Sequence, residues 1–290
     1  MVLRVFRGRF NRILKTSGRR NMQKQITYEE HKDYLLSSAR LALCFVWNWL
    51  EKQPDEQFDS AIRGRVDIWR KTKFNPDHVD KCADDSIYPE WMAVVSQMKN
   101  FYEAARKKND FKKFEESCME LLAPVMTDRI ERDLAYLRDM VDLAGYQCGS
   151  LRYNLKVDEA TPHRIGFHIA NACYPSSIFD DKKYLPACFM VLMTQCEARF
   201  GVTEIGTSTW LNSYPKWIRL FPQEWVEHME EPQTDVRNHY GYWGQFITSR
   251  RTFNHKLAEE YRKTGVLPFL PRRSWCTMES MRRHLEQNYF

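Results

Sequence analysis

The spacing of apolar residues along the chain changes near residue 150. Before that point, from Tyr28 onward, glycines are few and apolar residues recur three and four positions apart, which predicts α-helices. One such stripe, formed by Leu43, Val46, Trp47 and Leu50, is typical of a helix that packs into a core. The pattern predicts helices over 28–53, about 60–71, 89–109, 111–122 and 127–145.

Beyond Gly149, short apolar segments alternate with helical stretches, as expected where helices pack on a sheet. We predict strands over 151–157, 164–170, 202–210 and 240–248, and helices over 184–200 and 252–264. Residues 214–229 are predicted to form a helix or a pair of helical turns, and a short apolar segment over 266–270 and a terminal helix from Thr277 follow. The predicted fold class is α+β, with a helical N-terminal half followed by a mixed β-sheet with flanking helices. The predicted regions are a basic extension over 1–27, a helical region over 28–149 and an α/β region over 150–290 that carries the site.

Length and composition indicate a folded protein of one large or two modest domains. The chain has 290 residues, of which 43% are hydrophobic and 14% aromatic, and this is enough for an extensive core. Every uninterrupted apolar run is shorter than the roughly 18 residues that a membrane-spanning helix needs. We therefore expect a soluble protein with no membrane partner.

The net charge of +6 is concentrated at the N-terminus. Eight arginine and lysine residues precede Glu29, the first acidic residue, so the chain from Glu29 onward carries two more acidic than basic side chains. A basic folded surface, which would indicate a nucleic-acid partner, is therefore not predicted. The sequence leaves the formation of a homo-oligomer open.

The basic segment before Tyr28 has three interpretations. It is a disordered tail, a mitochondrial transit peptide, or a stretch upstream of a true start at Met22, because codons for residues 18–21 can form a purine-rich ribosome-binding site. A low serine content argues against the transit peptide, and the feature that favours it is an apolar helical face formed by Leu3, Phe6, Phe10, Ile13 and Leu14. A transit peptide would place the protein in the mitochondrial matrix, whereas the other interpretations place it in the cytoplasm.

Neither disulfides nor a metal site is expected. Eight cysteines are scattered without any C-x-x-C pair, which indicates reduced, mostly buried thiols. His163 and His168 are five positions apart, so a regular strand would point them to opposite faces. The helical metal motifs H-E-x-x-H and E-x-x-H do not occur in the sequence. The glycine-rich phosphate loops G-x-x-x-x-G-K-[ST] and G-x-G-x-x-G are absent from it as well, so we expect no bound cofactor.

Residues 206–212, G-T-S-T-W-L-N, are the strongest candidate site. Three hydroxyl side chains close a predicted strand there, and polar groups at such an end often face a ligand pocket. Ser208 resembles the nucleophile of a G-x-S-x-G elbow, but Trp210 stands where the second glycine is required. We therefore interpret the segment as a pocket wall that positions a ligand through Thr207, Ser208, Thr209, Trp210 and Asn212.

A second segment, 241–246, repeats the mixture of glycine, aromatic and amide residues and adds Trp243 and Gln245 to the predicted pocket. The tryptophans of this half fit either stacking on a flat ligand or packing in a core or interface, and packing is the more common role: Trp210, Trp217, Trp225 and Trp243. Arginine pairs at 250–251 and 272–273 contribute Arg250 and Arg273. These are either forks for an anionic group of the substrate or a surface charge cluster.

The order of these elements resembles the C-terminal half of divergent GNAT-like acyltransferases. The resemblance rests on the strand R-I-G-F-H-I at 164–169, the amphipathic helix at 184–200, the strand that ends in S-T-W-L-N at 208–212, and Phe221-Pro222. It extends over roughly 130 residues, and it concerns the fold more directly than the function. The family's arginine- and glycine-rich pyrophosphate loop has no match, and Tyr174-Pro175-Ser176-Ser177 stands in its place.

The resemblance implies a transfer of an acyl group to an amine or hydroxyl of a small molecule. The donor would be acyl-CoA or another acyl thioester, and backbone N–H groups at a splayed strand would polarise its carbonyl. His168 or His239 would be the base and Tyr174 or Tyr242 the acid, with substrate positioned by Ser208, Asn212 and Gln245. The expected function is thus that of a metal-independent, acyltransferase-like transferase.

A competing hypothesis is a non-catalytic binding or assembly protein. In that case the tryptophan-rich face would contact a protein partner, because aromatic residues are also favoured at interfaces.

Overall fold

The computed structural model describes residues 25–75, 85–138 and 146–290, which belong to two compact units. The helical unit contains residues 26–75, 85–138 and Thr234–Pro268. The α/β unit contains residues 146–233 and Phe269–Phe290. The described residues carry eleven α-helices and a four-stranded mixed sheet, and this confirms the predicted α+β class with its helical N-terminal half.

The helical unit begins with its longest helix, Tyr28–Lys52. A capping box starts this helix, because the Thr27 hydroxyl accepts from the Glu30 N–H and the Glu30 carboxylate accepts from the Thr27 N–H. Gly265, at φ +65°, ends the last helix of the unit in a left-handed conformation that glycine adopts without strain. That last helix is His255–Thr264. Between the first and the last lie Phe58–Gly64, Pro89–Arg106, Phe111–Thr127, Ile130–Arg138 and Tyr240–Trp243.

The core of the helical unit is built from aromatic rings around the first helix. The predicted stripe on that helix is buried, with Val46 and Leu43 fully removed from solvent. Trp47 packs against Phe114, with ring centroids 5.6 Å apart. Tyr102 extends the same cluster, at 5.7 Å from Trp47 and 5.8 Å from Phe114, distances typical of aromatic packing.

The sheet of the α/β unit has four strands in chain order: β1 (Leu151–Tyr153), β2 (Arg164–Ile169), β3 (Glu204–Thr209) and β4 (Arg272–Thr277). β1 is antiparallel to β2, β2 is parallel to β3, and β3 is antiparallel to β4. The helix Tyr184–Phe200 connects β2 to β3, because parallel neighbours require a crossover. Alternate residues such as Ile165, Phe167 and Ile205 are buried, so one face of the sheet packs on the core.

The rest of that core comes from the helices of the α/β unit. The helix Tyr184–Phe200 contributes most of its side chains, and it ends at Gly201 with φ +65°. The shorter helices Pro215–Ile218 and Gln223–Glu227 place the fully buried rings of Trp217 and Trp225 in the same cluster. The terminal helix Met278–Tyr289 starts where it was predicted, since the Thr277 hydroxyl accepts from the Ser280 N–H.

One predicted element in the C-terminal part of the chain is wrong. Residues 240–248 do not form a strand, because Tyr240–Trp243 is a helix and Gly244–Phe246 a 3₁₀ turn. The His239 side chain accepts from the Gly241 N–H and so starts the helix, and the Gln245 amide donates to the Tyr242 carbonyl. These local hydrogen bonds outweigh the β propensity of the aromatic residues.

The structure also contains β4, a strand that the apolar pattern does not predict. Its first residues, Arg272, Arg273 and Ser274, are all polar, but Ser274 is fully buried, and its hydroxyl donates to the Trp225 carbonyl. The strand is further held by six paired positions with β3. Residues Thr234–Pro268 also belong to the helical unit, although the sequence pattern groups them with the α/β region.

The predicted basic extension over 1–27 lies outside the described residues except at its end, and so does the last part of the helix predicted over 127–145. Among the helices that are described, none has the length and apolar character needed to cross a membrane.

Candidate functional site

The carboxyl ends of β2 and β3 separate from each other. Both strands lie wholly within the described residues and have six residues each, but the pairing between them ends at Gly166 and Gly206. Beyond that position β2 continues to pair with β1, and β3 with β4. A side-chain hydrogen bond spans the gap, since Thr207 Oγ1 donates to the Phe167 carbonyl at 2.8 Å. We call this gap the strand opening, and it lies at the end of a parallel strand pair where α/β sheets usually bind ligands.

Backbone groups of β2 face the strand opening. The Gly166 carbonyl accepts from the Asn154 N–H at 2.9 Å and therefore faces β1. Because peptide groups alternate along a strand, those of Phe167 and Ile169 face β3, as the bond between Phe167 and Thr207 shows directly. The N–H of Ile169 thus points toward the side from which β3 has diverged, where it can donate to an acceptor.

His168 lies on the solvent-facing side of β2 beside the strand opening. Its Nε2 is 2.9 Å from Asn154 Oδ1. Because Oδ1 only accepts, Nε2 donates, and Nδ1 of the neutral ring remains as the basic nitrogen. Gly166 makes room for this contact, since a Cβ there would come within 2.5 Å of Asn154 Nδ2. Desolvation by the surrounding protein and then the charge of Arg152 lower the pKa of His168, which favours its neutral form.

Most of the polar side chains at the end of β3 hold the fold together. Asn212 is 1% exposed, and its amide nitrogen donates to the carbonyls of Thr207 at 3.1 Å and Arg272 at 2.8 Å. Its Oδ1 accepts from Trp217 Nε1 at 2.9 Å. The Thr209 hydroxyl accepts from the Leu211 N–H, and Thr207 spans the strand opening. Of the three consecutive hydroxyls, Ser208 is the exposed one.

Ser208 and Arg273 occupy paired positions of β3 and β4, and both are exposed. They lie on the same face of the sheet as His168, because paired residues share a face and side chains alternate along each strand. Ser208 Oγ is 3.4 Å from Gln233 Oε1. Arg272 points to the opposite face of the sheet, so the two arginines of β4 do not bind one anionic group together.

An aromatic stack covers the amino-terminal half of β2 on this face. The guanidinium carbon of Arg164 lies 4.0 Å from the centroid of the Trp275 ring, and the His228 ring stacks on Trp275 at 3.6 Å with an interplanar angle of 7°. Arg164 reaches across β3 because Gly206 has no side chain, since a Cβ there would come within 3.0 Å of Arg164 Cδ. The stack leaves the end of the face with His168, Ser208 and Arg273 open.

Tyr174 lies in the loop that leaves β2 at the strand opening. Its side chain is 8% exposed, and a cis peptide bond follows it at Pro175. Asn171 holds the loop in place, because its amide nitrogen donates to the Ser176 carbonyl and its Oδ1 accepts from the Cys173 N–H, both at 2.9 Å.

The remaining predicted site residues belong to the helical unit. The ring of His239 lies 5.1 Å from that of Tyr242, and burial followed by the charges of Arg70 and Arg237 lowers the pKa of His239. Gln245 is 2% exposed, and its amide nitrogen donates a hydrogen bond to the Tyr242 carbonyl.

Trp243 and Arg250 are also in the helical unit. Trp243 Nε1 donates to the carbonyls of Arg65 at 2.9 Å and Arg237 at 3.0 Å. Arg250 is exposed in a turn, where its N–H donates to the Thr248 hydroxyl. The two predicted pocket segments, 206–212 and 241–246, therefore fall in different units.

Packing explains most of the tryptophans. Trp217 and Trp225 are fully buried in the α/β core, and Trp243 is 8% exposed in the helical unit. Trp210 is half-buried and lies 5.8 Å from the Phe269 ring. The buried rings of Trp217 and Trp225 are not available to a protein partner.

The features that create the strand opening are not visible in the sequence. Asn154 and the Ile169 N–H acquire their positions from the register of β2 against its two neighbours, which is a property of residues far apart in the chain. Within 25–75, 85–138 and 146–290, no three His, Cys, Asp or Glu side chains are arranged to hold a metal ion, and the cysteines are free thiols of which only Cys173 is not buried.

The candidate site thus combines a backbone donor, a histidine that favours its neutral form, and an exposed serine and arginine at the end of two separating parallel strands. No protein-family model, curated protein or solved structure matches the chain.

Proposed function

We propose that the α/β unit transfers an acyl group from a thioester to an amine or hydroxyl of a small molecule. The observation that carries the proposal is the separation of β2 from β3 beyond Gly166 and Gly206. An extended thioester arm can lie in such a gap and use the backbone groups that the missing strand pairing leaves available. The sequence resemblance to GNAT-like acyltransferases, in which a splayed strand performs this role, points in the same direction.

The thioester carbonyl would accept a hydrogen bond from the Ile169 N–H. This donor is fixed by the pairing of β2 with β1, so it needs no rearrangement when negative charge develops on the oxygen. A single preorganised donor of this kind typically contributes about 10²–10³ in rate.

His168 would take the proton from the attacking nucleophile. The amine or hydroxyl forms a bond to the carbonyl carbon, the C–S bond breaks, and the thiolate leaves with a proton. Nδ1 of His168 is suited to accept the first proton because the neutral ring donates through Nε2 to Asn154. Tyr174, in the loop at the same end of β2, is the proposed acid for the thiolate.

Ser208 and Arg273 would orient the substrate at the rim of the strand opening. Arg273 suits an anionic group of the donor or the acceptor, since a guanidinium binds carboxylates and phosphates through two parallel hydrogen bonds. Asn212, Thr207 and Thr209 act in this proposal by holding the ends of β3 and β4, through the contacts described above.

Binding and turnover of acetyl-CoA and longer acyl-CoA esters test the proposal. The full-length protein is titrated with each ester by calorimetry, and product formation with a set of small amines and alcohols is followed by mass spectrometry, so that the protein's own thiols do not interfere. His168→Gln should lower the rate by about 10²-fold, as expected for loss of a general base. His163→Gln is the matched control, because His163 is also exposed and lies just before the other end of β2.

Two outcomes would contradict the proposal. One is the absence of saturable binding for every acyl-CoA ester, and the other is an equal loss of rate in the His168 and His163 variants.

A further inference from the structure

Three polar side chains lie together on the solvent-facing side of the sheet, at the rim of the strand opening. Two of them, Ser208 and Arg273, are paired neighbours on β3 and β4. The third, Gln233, lies along the other edge of β4, where its N–H donates to the Pro271 carbonyl at 2.8 Å. Its side chain nevertheless reaches β3, since Gln233 Oε1 is 3.4 Å from Ser208 Oγ. We call Ser208, Gln233 and Arg273 the rim cluster.

Backbone hydrogen bonds hold the rim cluster on both sides of β4. Because β4 lies between Gln233 and Ser208, the Gln233 side chain crosses β4 on the face from which Arg273 projects. The segment that carries Gln233 is fixed to β4 by a second bond, from the Glu230 N–H to the Arg273 carbonyl at 2.9 Å. On the other side, β4 pairs with β3 at six positions. The three side chains therefore project from a firmly held strand and its two neighbours.

The rim cluster offers hydrogen-bond donors of the kind that bind a carboxylate. When the Ser208 hydroxyl donates to Gln233 Oε1, both N–H groups of the Gln233 amide remain for another acceptor. Arg273 is exposed and adds a guanidinium, whose fork matches the two oxygens of a carboxylate. The acidic residues of the adjoining segment, Glu230 and Glu231, have exposed side chains, and neither forms an ion pair with Arg273.

The rim cluster faces His168 across the strand opening. His168 is the second residue after Gly166, and Ser208 the second after Gly206, the last two paired positions of β2 and β3. Ser208 is thus the counterpart of His168 on the neighbouring parallel strand, and Arg273 lies one strand further. Two strand spacings amount to about 10 Å between backbones, a distance that the long side chains at both ends reduce. A small molecule with its nucleophile at His168 can therefore reach Arg273.

The other directions away from His168 along this face are occupied by side chains that already have partners. Toward the amino-terminal end of β2, the aromatic stack around Trp275 covers the face. On the side of β1, His168 Nε2 is bonded to Asn154 at 2.9 Å, and the Arg152 guanidinium carbon lies 5.3 Å from the centroid of the Tyr146 ring. The direction across the strand opening, toward the rim cluster, is the one left for the body of an acceptor.

We propose that the rim cluster binds the carboxylate of the acyl acceptor, so that the acceptor is a small amino acid or hydroxy acid. The carboxylate accepts two hydrogen bonds from Arg273 and one from the Gln233 amide, while the amine or hydroxyl lies at His168. The inference rests on the acyl transfer proposed above, and it assigns Arg273 to the acceptor rather than to the thioester donor. A polyamine acceptor is disfavoured, because its second cation would meet the Arg273 guanidinium.

The test compares acceptors that differ only in the carboxylate. Turnover with acetyl-CoA is measured at alkaline pH for glycine, β-alanine and 4-aminobutyrate, for the amide of each, and for O-phosphoethanolamine. The ratio of kcat/KM between an amino acid and its amide is compared between variants, so that differences in amine reactivity cancel. Arg273→Gln should lower the largest of these ratios by about fivefold, as expected for an ion pair exposed to solvent, and Gln233→Leu by about twofold.

The matched control is Arg152→Gln, which removes an exposed arginine on the same face at the other side of His168. It should leave the ratio unchanged. An equal fall of the ratio in Arg152→Gln and Arg273→Gln overturns the assignment of the carboxylate to the rim cluster, and so does a preference for O-phosphoethanolamine over every amino acid.

A binding measurement separates this inference from the acyl transfer itself. The full-length protein is titrated by calorimetry with N-acetyl-β-alanine and with its amide, which the wild type should bind about fivefold more weakly. If this difference disappears in Arg273→Gln but no acceptor is acylated, the carboxylate site stands and the acyl transfer fails. If acceptors are acylated but the ratio of amino acid to amide is the same in the wild type and in Arg273→Gln, the acyl transfer stands and the carboxylate site fails.

Discussion

The α/β unit and the helical unit differ in the polar side chains that they bury. At the end of β3, the side chains of Asn212 and Thr209 form hydrogen bonds within the fold. The groups that remain available to a ligand there are backbone groups and exposed side chains. In the helical unit the buried polar residues include charged ones that pair with each other, such as Arg129 and Asp133, beside neutral ones such as Gln245. A polar residue near a strand end is therefore weaker evidence for a site than an interrupted strand pairing.

The largest effect is expected at a buried ion pair of the helical unit. Asp133→Asn removes the carboxylate that pairs with Arg129 and His31, whose side chains are 5% and 7% exposed. Breaking such a pair leaves an uncompensated buried charge and should lower the free energy of unfolding by about 3–5 kcal/mol, as measured by urea denaturation. Asp128→Asn is the control, because its pair with Lys73 is about half exposed and should contribute about 0–1 kcal/mol.

The pH dependence of stability provides a second measurement on Asp133. Burial opposes ionisation, but hydrogen bonds from His31 and Arg129 outweigh it and lower the pKa of Asp133. A carboxyl whose pKa is lowered by folding stabilises the protein above its ordinary pKa, and this contribution disappears as the pH falls through the lowered value. The wild type should therefore lose its advantage over Asp133→Asn at acidic pH, and a constant difference would contradict this assignment.

A smaller loss of stability is expected in the α/β unit. Asn212→Leu removes the partner of the Thr207 carbonyl, the Arg272 carbonyl and the Trp217 indole, at a site that is 1% exposed. We expect the free energy of unfolding to fall by about 3 kcal/mol, because buried groups without partners cost about 1–3 kcal/mol each. Ser208→Ala, an exposed neighbour, should change it by about 0.5 kcal/mol or less.

The opposite pattern would change the comparison between the units. If Asn212→Leu were as stable as Ser208→Ala but lost acyl-CoA turnover, Asn212 would position substrate and the end of β3 would be a site of polar side chains after all.

The smallest effect concerns His168 and rests on the proposed acyl transfer. The charge of Arg152 helps to lower the pKa of His168, so Arg152→Gln should raise it. Because the base must be neutral, the acidic limb of the rate profile should move to higher pH, while the rate at alkaline pH stays the same. An unchanged acidic limb would mean that His168 is not the titrating base. Arg199→Gln, an exposed substitution elsewhere in the unit, is the control.

Local sequence patterns were sufficient for the long helices. The helices Tyr28–Lys52 and Tyr184–Phe200 have regular apolar spacing over several turns, so many positions indicate a helix independently. A local pattern does not predict β4, because the burial of its Ser274 depends on a hydrogen bond to Trp225, which lies far away in the chain. The helix Tyr240–Trp243 was mistaken for a strand, since its aromatic residues favour strands when no cap is considered.

The site could be predicted only in part for the same reason. The sequence places polar residues at the end of β3, and the structure has them there. Such side chains are either available to a ligand or already hydrogen-bonded within the fold. Which of the two applies depends on partners such as Trp217 and Arg272, which no local pattern identifies. The point at which β2 and β3 stop pairing is set by the register of four strands.

The hydrogen bond from Thr207 to the Phe167 carbonyl has a kinetic consequence. The backbone hydrogen bonds between two paired strands break only when a strand shifts. The hydrogen bond from Thr207, in contrast, breaks when its side chain rotates about the Cα–Cβ bond. Such rotations take picoseconds to nanoseconds, and the bond contributes only about 1 kcal/mol. If a ligand enters between the strands as proposed, breaking this hydrogen bond would therefore not limit the rate of its entry.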